Sequence, residues 1–85
     1  MAVYNIGIKP SALKELEQTP KRVAQQIVKR IQALAHAPRP PGSKKLSGEE
    51  KYRVRQGDYR VVYSIDDAKK LVEVVKIGHR RDVYR

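Results

Sequence analysis

Apolar and polar residues change their period several times along this chain. From Val3 to Ile8 they alternate, with Tyr4, Ile6 and Ile8 on one side and Val3, Asn5 and Gly7 on the other. That pattern predicts a half-buried strand. Pro10-Ser11 then opens a short helix carrying Leu13 and Leu16, which ends before Thr19-Pro20. Thr19 is a suitable N-cap, and Pro20 a suitable first residue, for a second helix. Within it Val23, Ile27, Ile31, Leu34 and Ala35 recur at helical spacing to about His36. Pro38-Arg39-Pro40-Pro41-Gly42-Ser43 stops this helix and begins a loop that continues through residues 44–50.

Three strand patterns follow. Tyr52-Arg53-Val54-Arg55 alternates strictly, Gln56-Gly57-Asp58 reads as a hairpin turn, and residues 59–65 are rich in β-formers. Residues 66–70 turn into a last apolar run, 71–77, which Gly78 is expected to end. The order β-α-α-β-β-β predicts an α+β fold: a mostly antiparallel four-stranded sheet with both helices on one face. The whole chain, 1–85, reads as one domain. Strands in a single layer cannot bury their apolar side alone, so the helices cover one face and leave the other open.

Period-two geometry then sorts the charges. Tyr52 and Val54 suit the covered face, so Arg53 and Arg55 point to the open one, and Arg60, Val62 and Ser64 share a side in the next strand. A hairpin centred on Gly57 brings Arg60 beside Arg55. Like charges facing each other across strands are destabilising. A tolerated cluster therefore implies an anion that neutralises it.

Composition narrows the chemistry. The 85 residues include 19 Lys plus Arg against 9 Asp plus Glu, a net charge of +10. That excess points to a polyanionic partner. It divides evenly, +5 in residues 1–43 and +5 in residues 44–85, with no block of five like charges, so it decorates a folded surface. There is no cysteine, which excludes a disulfide framework, a thiolate zinc site and a Cys nucleophile. With only His36 and His79, a metal site would depend on scattered carboxylates, and neither metal nor cofactor is expected. Apolar runs fall far short of the roughly 20 residues that span a membrane. The first residues lack a secretory pattern, and a cytoplasmic protein with no membrane partner is the expectation. The tail adds His79, Arg80 and Arg81 close to Tyr84. Guanidinium groups with an aromatic ring suit single-stranded RNA, forks on phosphates and a ring under a base.

Two blocks, Tyr52-Arg53-Val54-Arg55-Gln56-Gly57-Asp58-Tyr59-Arg60-Val61-Val62-Tyr63 and Gly78-His79-Arg80-Arg81-Asp82-Val83-Tyr84, resemble the RelE/ParE superfamily of toxin–antitoxin toxins. The likeness extends over nearly the whole chain and favours the RelE branch. It implies a metal-independent, ribosome-dependent mRNA endonuclease that cuts in the ribosomal A site. There the ribose 2′-hydroxyl attacks its own phosphate to leave a 2′,3′-cyclic phosphate, and translation stops. By position, the resemblance makes Arg53, Arg55, Arg60, Arg80 and Tyr84 the catalytic set. Lys44, Lys45, Lys51, His79, Arg81 and Arg85 are the accompanying RNA contacts. It also implies a cognate acidic, RelB-like antitoxin.

One departure changes the mechanism. RelE proteins often carry lysine at the Arg53 and Arg55 positions, where one lysine is a candidate base. An arginine, with a pKa above about 12, is a poor base, so these two suit stabilisation of the phosphorane instead. Proton removal then falls to Tyr84 or to a group of the ribosome or RNA. Histidine side chains commonly serve as general acids and bases, but the His79 position is outside the family's usual catalytic set. Two other readings stay open: a ParE-like inhibitor of DNA gyrase, and a non-catalytic basic RNA-binding module.

Overall fold

Each predicted period has its element in the computed structural model, which describes residues 3–46 and 51–79. Strand β1 (Asn5–Ile8) leads into helix α1 (Pro10–Glu17), helix α2 (Lys21–Ala33), a two-residue strand β2 (Lys44–Lys45) and the meander β3 (Lys51–Gln56), β4 (Tyr59–Asp66) and β5 (Leu71–His79). The sheet has five strands in the order β1-β5-β4-β3-β2. The meander and β2 pair antiparallel, while β1 joins β5 in parallel. The α+β class stands, with one strand more than the four expected. The extra strand is β2, which falls in the expected loop because two lysines show no alternation. It forms because Lys44 and Lys45 lie opposite Arg53 and Tyr52, closed by Leu46 N–H to the Lys51 carbonyl at 2.8 Å.

Three boundaries differ from expectation for local reasons. The Thr19 hydroxyl does not cap α2; it donates back to the Glu15 carbonyl at 2.9 Å, serving the end of α1. Pro20 takes the N-cap instead, and its carbonyl accepts the first helical bond from Ala24. The end of α2 tightens after Ala33: Leu34, Ala35 and His36 each donate three residues back, the geometry of a closing 3₁₀ turn. Gly78 does not end β5, because it pairs with Arg60 and His79 pairs with Tyr59.

The helices cover one face. Ala12, Ile27, Ile31 and Leu34 meet Val54, Val61, Tyr63, Val72, Val74 and Ile77 in a single core. Nine of these ten side chains, Tyr63 and Ile27 among them, are essentially fully buried. At about 1.5–3 kcal/mol for each large apolar side chain removed from water, this layer is what holds the sheet. A β-bulge opposite Val62/Tyr63 sets Val62 against Lys76 and Tyr63 against Val74, so Val75 is the extra residue. The alternation therefore resumes in phase, and Ile77 still enters the core.

Beyond the core, tyrosines lock the loop after α2 to the sheet. The Tyr63 hydroxyl donates to the Pro38 carbonyl at 2.7 Å. Arg39 Nε donates to the Tyr52 hydroxyl at 3.1 Å, and its Nη2 meets Asp67 Oδ2 at 3.0 Å. Tyr4 donates to the other Asp67 oxygen at 2.6 Å. The Arg39 guanidinium also lies over the Tyr52 ring, 5.2 Å from its centroid. Arg39 first and Tyr4 second hold the Asp67 carboxyl below the ordinary aspartate range. Burial pushes the Tyr63 phenol up to about 12.

Candidate nucleic-acid interface

The β3–β4 hairpin turns in two residues, with Gly57 at φ +61°. A positive φ at the first central position is the requirement of a type II′ turn, which glycine meets without strain. The turn sets Gln56 opposite Tyr59 and hence Arg55 directly opposite Arg60. Opposed residues on one face bring their Cβ atoms to about 4.5–5.5 Å, so the two guanidinium stems leave the sheet side by side as expected. Arg53 faces Val62 on one side and Lys44 on the other, and Lys51 faces Ser64. Register thus puts Lys44, Lys51, Arg53, Arg55 and Arg60 on the face away from the helices. Among the described strand pairings, the residues opposite these arginines are Lys44 and Val62 for Arg53, Arg60 for Arg55, and Arg55 and Gly78 for Arg60.

Burial grades this cluster. Arg55 is exposed and Arg53 half-buried, while Arg60 is only 6% exposed and Val62 5%. The face is therefore not uniformly open: β4 is the middle strand, shielded by neighbours on both sides. A guanidinium held in such surroundings acts through a lower effective dielectric than one in water. Opposite it stands Gly78, which puts no side chain in the way of a ligand.

The other candidates divide. Lys45 lies opposite Tyr52, so register places it on the helix side. His79 lies opposite Tyr59, also on the helix side, and meets that ring edge-on at 5.6 Å between centroids. Neither joins the arginines. Arg80, Arg81, Tyr84 and Arg85 lie outside the described residues.

Sequence reasoning missed Glu15. One of its carboxylate oxygens accepts Ile77 N–H at 3.1 Å and the other Lys76 Nζ at 3.2 Å, closing β5 where β1 has ended. It also missed the Arg39–Asp67 pair, whose available signal was a long cation framed by prolines in Pro38-Arg39-Pro40. Among the described residues no group of three or more His, Cys, Asp or Glu gathers as a metal cluster. No described helix is long and apolar enough to cross a membrane.

The α+β fold thus carries a basic patch on the sheet face away from its helices, and known proteins supply the class. The model of the ParE toxin of the type II toxin–antitoxin system parDE matches residues 6–84. Toxin RelE of Mycobacterium tuberculosis is 33% identical over 84 residues, covering 96% of this chain and 87% of that protein. Among solved structures, an archaeal RelE–RelB complex from Pyrococcus horikoshii matches with a TM-score of 0.83 at 29% identity, covering 98% of this chain and all of that one. An M. tuberculosis RelBE2 toxin–antitoxin complex matches at 0.82 and 27% identity, over 92% and 99%. The chain belongs to the RelE/ParE superfamily of type II toxin–antitoxin toxins.

Proposed function

We propose that this toxin is an mRNA endonuclease that cuts ribosome-bound message in the cytoplasm by internal transesterification, without metal. The observation carrying the reading is Arg55 directly opposite Arg60, with Arg53 two residues along on the same face. The nucleophile is the substrate's own 2′-oxygen, so the protein has to hold the phosphate, stabilise a dianionic phosphorane and manage two protons. Arg53 and Arg55 grip the non-bridging oxygens, and Arg60, fixed in the sheet, meets the charge that grows in the transition state. Tyr84, or a group of the ribosome or RNA, takes the 2′-hydroxyl proton. Arg80 steadies the negative charge on the departing 5′-oxygen, which takes its proton from water or from the group that received the 2′-hydroxyl proton and leaves as a hydroxyl. Lys44 and Lys51 extend the field along the bound strand.

The partner that silences this surface is an acidic antitoxin of the RelB kind. Solved relatives that include a RelB antitoxin from E. coli and from P. horikoshii support it, as does a net charge of +10. The test is end chemistry in a translating extract dosed with pure protein. Cuts in the A-site codon ending in a 2′,3′-cyclic phosphate are expected. Ends bearing a free 3′-hydroxyl, or intact message, overturn the reading. The matching family model is that of a parDE toxin, so a gyrase supercoiling assay belongs beside it: inhibited supercoiling with intact message places the chain with gyrase poisons.

A further inference from the structure

We propose that the small cavity between the end of α1 and the free end of β5 is a nucleobase pocket. It reads a base adjoining the phosphate held on the arginine face. The inference rests on the RNA reading above and adds a specificity site to it.

β5 outruns its partner. The last β1 pair is Ile8 with Val74, yet β5 continues to His79. The helix side of this overhang holds a cavity of about 190 Å³ lined by Glu15, Gln18, Thr19, Tyr59, Gly78 and His79, with Ile77 below. That is smaller than the roughly 300–1,000 Å³ of pockets for drug-sized ligands, a scale suited to one planar heterocycle. Its aromatic wall is the Tyr59–His79 pair, whose planes stand at 82°. A base stacked on one ring therefore turns its own edge to the face of the other, and stacking of this kind accepts any base.

The polar wall supplies discrimination. The exposed Gln18 side chain at the C-cap of α1 carries both a donor and an acceptor, as the edge of a base requires. The Thr19 hydroxyl is committed as donor to the Glu15 carbonyl and keeps acceptor capacity. The Glu15 carboxylate is already held by Ile77 and Lys76, so it orients the wall.

Gly78 links pocket and phosphate. It lines the cavity and is also the residue opposite Arg60. The two subsites therefore lie on opposite faces of the sheet, and the residue of β5 beside Arg60 carries no side chain. A strand with a phosphate at Arg55 and Arg60 has only to turn the β5 edge to seat the neighbouring base.

The experiment titrates the four free nucleosides, then the four nucleoside 3′-monophosphates, into isotope-labelled intact protein, and maps cleavage sites in the translating extract. At least one nucleoside is expected to shift the Ile77 and His79 amides. Its monophosphate is expected to bind at least about tenfold tighter, the scale of a charge-assisted contact, and to shift Arg55 and Arg60 as well. Gln18→Ala and His79→Ala should remove the nucleoside response and flatten base preference among the cuts that remain. Arg60→Ala should abolish cleavage and keep the nucleoside response. Nucleosides that leave Ile77 and His79 unmoved, or an unchanged base preference in both pocket variants, overturn the pocket. Absence of cleavage by the wild-type chain, with Arg55 and Arg60 unmoved by monophosphates, overturns the RNA reading itself.

Discussion

The two faces of β4 put opposite demands on one strand. Toward the helices, Val61 and Tyr63 are fully buried. On the other side, Arg60 faces Arg55, an arrangement that costs stability. Alternation separates the two roles along β4: Val61 and Tyr63 hold the core together, while Arg60 shares the other face with Arg55. Local stability and function are therefore separable by single substitutions, and the contrast can be broken from either side.

The largest effect belongs to the helix-covered face. Ile27→Ala should cost about 2–5 kcal/mol in chemical denaturation, while cleavage per folded molecule is unchanged. Arg60→Ala should reverse this, lowering the cleavage rate by about 10²–10³-fold, the scale of one lost transition-state donor, in a chain that still folds by circular dichroism. If Ile27→Ala silences folded protein as strongly as Arg60→Ala does, the separation of faces fails.

Smaller changes sharpen it. The Tyr63 phenol has a folded pKa of about 12 against an ordinary 10. The contribution is complete below about pH 10 and is lost as pH rises toward 12. Tyr63→Phe should remove that part of the alkaline loss, read from melting temperature between pH 9 and 12. Arg55→Gln should raise stability by up to about 1 kcal/mol by relieving the opposed charges, while cleavage falls. The smallest shift is expected from Asp67→Asn. The Asp67 carboxyl titrates below its ordinary value, so its contribution is present above about pH 4 and lost as pH falls through the folded value. The variant should flatten the acid limb of the stability curve and leave cleavage alone.

Much of this was legible in the chain because one face of each strand is buried, which makes period-two alternation an honest record of direction. The Arg55–Arg60 pair followed from counting outward from Gly57. What stayed hidden was set by partners distant in sequence. Two lysines make a strand only because β3 lies beside them, and the parallel seat of β1 leaves no local trace. The reach of β5 through Gly78 was misread because glycine usually punctuates, whereas here a strand partner holds it. The same misreading set His79 among the arginines, when two more residues of strand turn it to the helix side. The burial of Arg60 depends on its place in the middle of the sheet, which no local pattern announces.

The parallel pairing of β1 with β5 also has a consequence in time. Asn5 finds its partner only at Leu71, so β1 cannot take its place in the sheet until Leu71 has emerged from the ribosome that makes the chain. Contacts so far apart in sequence form late and slowly. Until that closure the nascent chain lacks its finished sheet.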